Sequence, residues 1–264
     1  MYPFLYLGDF KLPMYGVMIA TGVVVALIFA VLDCKRKELQ PNYMLAIIAP
    51  ALLVGMVGAK IFYLVITYTS SELLYILKYG DFEQIISGGY VFYGGFVIGI
   101  LSAIGMSKIL KCKFSDYENV LVKCIPLAYA FGRIGCFFAG CCYGLPTDSF
   151  LGIAFEHPLG SAPNGIPLIP IQLFECAFNL LLTAFLWLWD TKHPQNKLLV
   201  PFYLIIYSLE RFIFEFFRYD IERGIWMGFS TSQWISIVVF VAGIMYLGYK
   251  KKSVPKALFA KFDE

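Results

Sequence analysis

The sequence predicts an all-α, polytopic membrane protein with seven transmembrane helices. Of its 264 residues, 59% are hydrophobic and 15% are charged, whereas soluble domains have about 45–50% apolar and about 25% charged residues. Apolar runs of about 20 residues, the length that crosses a bilayer as a helix, recur along the chain. Only a helix satisfies the backbone of such a run internally. We expect spans at residues 14–33, 44–68, 89–110, 117–140, 171–189, 198–219 and 233–249.

The basic residues of the predicted loops predict the orientation of the chain. The opposite side from the C-terminal tail has only Lys11, Lys78 and Arg223. The side of the tail carries thirteen: Lys35, Arg36, Lys37, Lys108, Lys111, Lys113, Lys192, Lys197, Lys250, Lys251, Lys252, Lys256 and Lys261. By the positive-inside rule, the N-terminus is outside and the C-terminus is cytoplasmic. The net charge of +3 therefore reflects topology and does not indicate a nucleic-acid partner.

One integral membrane domain is expected over residues 1–264, because no sustained repeat, low-complexity segment or soluble domain interrupts the spans. The N-terminal segment lacks the basic region and cleavage site of a signal peptide, so the first span is expected to remain. The two longest outer connections, 69–88 and 141–170, lie on the same predicted face. Long irregular loops in a compact protein are often functional, so we expect the chemistry to face outward.

Several charged residues fall within or at the ends of the predicted spans. In span six, Arg211, Glu215 and Arg218 are spaced i, i+4, i+7, which places them on one helical face. A charge at the centre of a membrane helix costs at least about 2.5–3.5 kcal/mol, so such residues face a partner or a ligand. Either Glu215 neutralises the arginines, or the positive excess, with Arg133 from span four, binds an anion such as a lipid phosphate.

Two lysines lie at less polar positions of the spans. Lys60 follows Gly55 and Gly58 in span two, where it either joins the polar interior or extends along the helix to the interface. Lys123 lies six residues into span four, and there we expect the side chain to reach the inner membrane surface.

Three of the seven cysteines, Cys136, Cys141 and Cys142, cluster at the predicted outer end of span four. One interpretation is that Cys136 and Cys141 are small polar replacements with a structural disulfide at the rim. A disulfide between these two residues requires the helix to end between them. A reactive thiol is the second possibility. A metal site is not predicted, because the only histidines are His157 and His193, and His193 lies on the cytoplasmic side.

The segments that carry these residues occur in a recognisable order. They are Tyr15-Gly16, GAKIFYLV (58–65), FYGGFVIG (92–99), GRIGCFFAGCCYG (132–144), PIQLFE (170–175), RFIFEFFR (211–218) and STSQWIS (230–236). Together they resemble the motifs of the prolipoprotein diacylglyceryl transferase family, over nearly the whole chain.

The resemblance implies a transferase of the bacterial cytoplasmic (inner) membrane with its active site toward the outer face. Members move the diacylglyceryl group of phosphatidylglycerol to the lipobox cysteine thiol of a prolipoprotein signal peptide and release glycerol 1-phosphate. Membrane lipid is the expected surrounding, and no cofactor, metal or nucleic acid is implied. The implied catalytic residues are Arg133, Arg211, Tyr93 and Glu215. The implied substrate-binding residues are Arg133, Arg218, Tyr15, Lys60, Gly144, Gln172 and Glu175.

The chain departs from the family pattern at the site itself. Tyr93 replaces the family's histidine and Lys60 its arginine. The signature asparagines are Cys136 and Ala139, and the signature glutamate is Cys141. The general base therefore stays open among Tyr93, Glu215, His157 and a thiolate beside Arg133. A tyrosine, with a pKa near 10, needs neighbouring arginines to act as a base.

Three other functions are compatible with the same residues. One is a sister lipid-headgroup transferase with a different acceptor. The second is a seven-span anion transporter or receptor, which favours helices broken near the bilayer midplane. The third is a membrane thiol oxidoreductase using Cys136, Cys141 and Cys142, although the chain lacks the Cys-x-x-Cys spacing of redox relays at these residues.

Overall fold

The computed structural model describes residues 3–8, 10–79, 89–194, 198–219 and 224–253. Within these residues, α-helix dominates. The helices are α1 (Met14–Arg36), α2 (Pro41–Thr67), α3 (Ser70–Tyr79), α4 (Phe92–Ile109), α5 (Phe114–Ala139), α6 (Ile171–Lys192), α7 (Leu199–Glu215) and α8 (Thr231–Ser253). Three short antiparallel strand pairs lie in the connections: β1 (Phe4–Leu7) with β2 (Phe10–Pro13), β3 (Ile153–Ala154) with β4 (Pro167–Leu168), and β5 (Ile225–Trp226) with β6 (Phe229–Ser230).

Each predicted span coincides with a helix, and this agrees with the all-α membrane class. Among the described residues, five helical segments are long and apolar enough to cross a bilayer: Met14–Arg36, Pro41–Thr67, Phe114–Ala139, Ile171–Lys192 and Thr231–Lys250. The segment Gly94–Ile109 is a shorter apolar helix, and α7 has 17 residues. The count of seven spans and the orientation stay predictions.

The long helices expose many large apolar side chains. Val65 and Ile66 on α2, Leu181 on α6 and Met245 on α8 are each 69–70% exposed. Exposed apolar surface that extends along several helices requires an apolar partner. Lipid tails supply that partner for a membrane span.

The chain divides into two compact units. One consists of residues 30–118, and the other combines residues 1–29 with 119–264. The single domain predicted for 1–264 stays a prediction.

In the unit of residues 30–118, α2 and α4 pack through glycines. A Cβ atom on Gly95 would lie 2.7 Å from the carbonyl oxygen of Gly55, and one on Gly55 would lie 3.1 Å from the carbonyl oxygen of Gly95. The backbone N–H of Val91 also donates to the carbonyl oxygen of Ala59 at 3.0 Å. Small residues thus allow the two backbones to approach closely, as in other membrane helix pairs.

In the second unit, α5 and α6 share a buried ion pair between Lys123 and Asp190. Both side chains are fully buried, and the Nζ atom of Lys123 donates to Oδ2 of Asp190. The prediction that Lys123 extends to the membrane surface is therefore wrong. Asp190 lies 67 residues away in the chain, and its carboxylate compensates the ammonium inside the protein.

The connection 140–170 folds back over the end of α5. Its core consists of Tyr143, Phe155, Ala162 and Leu168. The backbone N–H of Gly160 donates to the carbonyl oxygen of Ala139 at 2.7 Å, and the Tyr143 hydroxyl donates to the carbonyl oxygen of Ser161 at 3.0 Å. This long loop is thus packed and hydrogen-bonded, and it forms a wall beside the residues described next.

Candidate active site

Glu175 lies between Arg133 and Arg211 and binds both. Its Oε2 atom is 2.7 Å from Nε of Arg133, and its Oε1 atom accepts from Nη2 of Arg133 at 3.1 Å and from Nη1 of Arg211 at 3.0 Å. The carboxylate is completely buried, and both arginines are 7% exposed. These charge-assisted contacts fix the positions of the two guanidinium groups.

Three helices supply these charges, each from one face. Arg133 lies near the end of α5, Glu175 near the start of α6, and Arg211 on α7. Along α6, the buried face carries the polar residues Gln172, Glu175, Asn179, Thr183 and Asp190. This arrangement reverses that of a helix in water, because the apolar face meets the surroundings and the polar face meets the other helices.

Glu215 extends the network at the end of α7. Its Oε2 atom lies 3.1 Å from Nη2 of Arg211, one turn earlier on the same helix. Its Oε1 atom accepts a hydrogen bond from the Ser230 hydroxyl at 2.8 Å. Glu215 therefore helps to neutralise Arg211. A second carboxylate, that of Glu175, comes from another helix and does not belong to span six.

The segment STSQ, residues 230–233, caps the start of α8. The Ser230 hydroxyl accepts from the backbone N–H of Gln233 at 3.2 Å, and the Gln233 side chain accepts from the backbone N–H of Ser230 at 2.9 Å. This reciprocal pair is a capping box. It holds the Ser230 hydroxyl against Glu215, while the hydroxyl of Ser232 accepts from Nη2 of Arg211 at 3.2 Å.

Sequence reasoning missed several of these partners. The Tyr129 hydroxyl accepts hydrogen bonds from both Nε and Nη2 of Arg133, and its position four residues before Arg133 was the available signal. Asn179 donates to Oε1 of Glu210 at 3.3 Å. Ser230 and Ser232 belong to a segment that was recognised as a motif but given no role.

Gly144 and Arg218 meet through the backbone. They form an antiparallel β-bridge, and the N–H of Leu145 donates to the carbonyl oxygen of Phe217 at 2.9 Å. A Cβ atom on Gly144 would lie 2.7 Å from the carbonyl oxygen of Ile169 and 3.0 Å from that of Phe217. Only glycine fits here, because a side chain would collide with the neighbouring backbone. The bridge from Gly144 holds the buried Arg218 beside the 140–170 connection.

The three thiols converge at the end of α5. The sulfur atoms of Cys136, Cys141 and Cys142 all lie within 4.8 Å of one another, and each is a free thiol. The helix ends at Ala139, between Cys136 and Cys141, as a contact between them requires. Hydrogen bonds from the other two thiols, with the charges of Arg218 and Arg133, lower the pKa of the Cys142 thiol below its usual value.

Gln172 and Tyr15 flank this group. Nε2 of Gln172 donates to the carbonyl oxygen of Cys141 at 2.7 Å, and Gln172 is fully buried. The ring of Tyr15 on α1 packs against Gly135, whose Cβ would lie 3.2 Å from Cδ2 of Tyr15. Tyr15 remains 43% exposed, so part of it stays accessible from outside the helix pair.

The other predicted residues lie elsewhere in the chain. In the unit of residues 30–118, Nζ of Lys60 donates to the carbonyl oxygen of Gly89 at 3.4 Å and lies 4.7 Å from the centre of the Tyr90 ring. Tyr93 is the second residue of α4, but its side chain is outside the described part of the chain. His157 is exposed in the loop, and its backbone N–H donates to the Asn164 side chain at 3.0 Å.

Known proteins are similar to this chain along most of its length. The profile of the prolipoprotein diacylglyceryl transferase family matches residues 3–249. Phosphatidylglycerol–prolipoprotein diacylglyceryl transferase 2 of Clostridium perfringens is 34% identical over 242 residues, which cover 91% of this chain and 92% of the relative. The corresponding transferase of Clostridium tetani is 32% identical and covers 87% and 90%, and that of Finegoldia magna is 27% identical and covers 91% and 92%. These relatives are transferases, so a transporter, a receptor or an oxidoreductase is not favoured.

Proposed function

Because the chain belongs to the prolipoprotein diacylglyceryl transferase family, we propose that it transfers the diacylglyceryl group of phosphatidylglycerol to a prolipoprotein. The acceptor is the thiol of the lipobox cysteine in the signal peptide. The sulfur attacks the glyceryl carbon that carries the phosphate, the carbon–oxygen bond breaks, and its electron pair leaves on glycerol 1-phosphate. The product is a thioether, and the reaction is a step of lipoprotein biosynthesis.

The observation that carries this proposal is the buried pairing of Arg133 and Arg211 around Glu175. The leaving phosphate gains negative charge as the carbon–oxygen bond breaks, and positive groups already fixed at that position stabilise the transition state most effectively. A guanidinium has five N–H donors, so an arginine bound to a carboxylate can also donate to a phosphate oxygen. Glu175 and Glu215 would keep both guanidinium groups in place before the lipid arrives.

The remaining residues receive their proposed roles from their positions. Arg218, held by Gly144, would bind the headgroup with Arg133. Gln172 would hold the start of the 140–170 connection through the carbonyl of Cys141, and the half-exposed Tyr15 would contact lipid or signal peptide. Lys60 and Tyr93 are proposed for substrate binding and for acid–base chemistry on the resemblance alone.

The proposed location is the bacterial cytoplasmic membrane, with several passes and the active site toward the outer face. The distribution of lysine and arginine along the sequence supports this orientation. A site within reach of lipid allows both acyl chains to stay in the bilayer during transfer, which avoids the cost of exposing them to water.

The test uses the purified full chain in vesicles that contain phosphatidylglycerol, with a lipobox peptide and release of glycerol 1-phosphate as the readout. We expect Arg133→Ala and Arg211→Ala to slow release about 100- to 1,000-fold, the usual loss when a group that stabilises transition-state charge is removed. Arg133→Lys and Arg211→Lys, which keep the charge but lose the fork, serve as variants with a smaller risk of misfolding.

Arg36→Ala is the matched control, because Arg36 pairs with Asp33 at the end of α1 and lies outside the site. It should release glycerol 1-phosphate at the wild-type rate. A peptide with serine in place of the lipobox cysteine should give no release. Release that persists undiminished in all four arginine variants, or with the serine peptide, would overturn the proposal.

A further inference from the structure

The thiol cluster of Cys136, Cys141 and Cys142 has the form of a site for a thiophilic metal ion. A tetrahedral zinc ion with zinc–sulfur bonds of about 2.3 Å holds its sulfur ligands about 3.8 Å apart. The three sulfur atoms lie within 4.8 Å of one another. Side-chain rotations that shorten each sulfur–sulfur distance by about 1 Å or less bring them to that spacing. Within the described residues the group has three members.

The backbone is shaped to bring these sulfurs together. Gly140, with φ +70°, ends α5 in the left-handed conformation, and the backbone N–H of Cys141 turns back to the carbonyl oxygen of Cys136 at 3.1 Å. Cys142 also has a positive φ, of 59°. That conformation is costly for a residue with a Cβ atom and persists where the surroundings impose it, most often at functional sites. The bond from the buried Gln172 to the carbonyl of Cys141 is one such restraint.

We propose that Cys136, Cys141 and Cys142 bind Zn²⁺ through their three thiolates and that the fourth position of the ion takes the acceptor thiol of the substrate. Structural zinc sites have four protein ligands, whereas catalytic sites have three and leave one position open. Three cysteines therefore match the catalytic type. The second part of the inference, which concerns the acceptor, rests on the proposed function.

The surrounding charges suit such an ion. Three thiolates and one Zn²⁺ carry a net charge of −1, and Arg133 lies three residues before Cys136 on the same face of α5. On α6, Gln172 precedes Glu175 by the same interval. The metal would thus sit about one helical turn from the Arg133–Glu175 pair, a separation of about 5 Å along each helix, with sulfur and phosphate sites side by side.

Coordination would supply the activation that the acceptor needs, because the thiolate and not the thiol is the nucleophile. A thiol bound to Zn²⁺ is deprotonated outright, and its proton goes to solvent. The bound thiolate then attacks the glyceryl carbon, the electron pair of the broken carbon–oxygen bond leaves on the phosphate, and the thioether product, a weaker ligand, dissociates.

The first experiment measures the metal itself in the purified full chain. After Zn²⁺ loading and removal of excess metal, we expect about one zinc ion per chain. Co²⁺, used as a spectroscopic probe, should give the absorption of thiolate-to-cobalt charge transfer, and addition of the lipobox peptide should increase it through a fourth thiolate. Cys141→Ser and Cys142→Ser should lose this absorption. Cys112→Ser, which changes a thiol in the turn between α4 and α5, outside the cluster, should keep it.

The second experiment measures transfer in the same samples. Removal of zinc by a chelator should lower the rate about 100-fold or more, the usual contribution of activating the nucleophile, and Zn²⁺ should restore it. A wild-type chain that binds neither Zn²⁺ nor Co²⁺ through sulfur would overturn the metal site, whether or not it transfers lipid. Metal binding with chelator-resistant transfer would overturn the acceptor role and leave the proposed function intact. A Co²⁺ spectrum that responds to the peptide without any transfer would instead count against the proposed function alone.

Discussion

At the scale of single residues, Glu175 is the carboxylate that joins the two arginines of the charged site. It is the one carboxylate in the described residues that contacts both Arg133 and Arg211. Two buried guanidinium groups without it would face each other in a medium of low dielectric constant, where like charges repel strongly. We therefore expect Glu175, for which the motif implies substrate binding, to position the two arginines.

Glu175→Gln tests this role, because glutamine keeps the shape and loses the charge. We expect transfer to fall at least 10-fold, and the midpoint of thermal unfolding to drop, since removing one partner of a buried ion pair costs about 3–5 kcal/mol. Glu156→Gln changes an exposed loop carboxylate and should alter neither. Wild-type rate and stability in Glu175→Gln would show that the arginines do not depend on this carboxylate.

At the scale of helices, the α2–α4 contact depends on glycine at defined positions. In Gly95→Ala, the new Cβ would lie 2.7 Å from the carbonyl oxygen of Gly55 and 2.9 Å from Cβ of Ala59. Backbone atoms cannot rotate away, so the helices must separate, and we expect a loss of about 1–3 kcal/mol in stability. The measurement is thermal unfolding of the purified protein in detergent.

Gly105→Ala provides the comparison on the same helix. A Cβ at Gly105 meets nothing within 4 Å, so stability should stay unchanged or rise slightly, because alanine is the better helix former. Equal destabilisation by both substitutions would mean that helix propensity, and not close packing, decides the effect.

The α5–α6 pair is tested by a double substitution. Lys123→Met leaves Asp190 buried without its ammonium partner, and we expect a loss of about 3–5 kcal/mol. Adding Asp190→Leu removes the remaining buried charge and should restore most of the stability. Replacing a whole buried ion pair by apolar residues often leaves the free energy of unfolding unchanged. Thermal unfolding of both variants measures the difference. A double variant no more stable than Lys123→Met would contradict this account of the pair.

The sequence predicted the elements better than their partners. Spans expected at 14–33 and 171–189 correspond to Met14–Arg36 and Ile171–Lys192, because long apolar runs determine helices locally. The partner of Lys123 was not predicted, since Asp190 belongs to another helix and no local pattern links the two. The same holds for Glu175 between two arginines. The spacing of Arg211 and Glu215, one turn apart, offered their pairing as one of two alternatives.

At the scale of the whole molecule, we propose that two chemical functions lie together in one membrane protein. The arginine–glutamate network would stabilise the phosphate that leaves, and the thiol cluster beside it would activate the sulfur that attacks. Both halves lie in the unit of residues 1–29 and 119–264. The exposed apolar faces of the helices suit a substrate whose acyl chains stay in the bilayer.

The most direct test of the central claim identifies the product. The purified chain is incubated with phosphatidylglycerol vesicles and a lipobox peptide, and the peptide is analysed by mass spectrometry with fragmentation. We expect the peptide to carry a diacylglyceryl group on its cysteine sulfur. This group should form together with glycerol 1-phosphate and should be absent when phosphatidylglycerol is omitted. An unmodified peptide after incubation with folded protein that binds phosphatidylglycerol would contradict it.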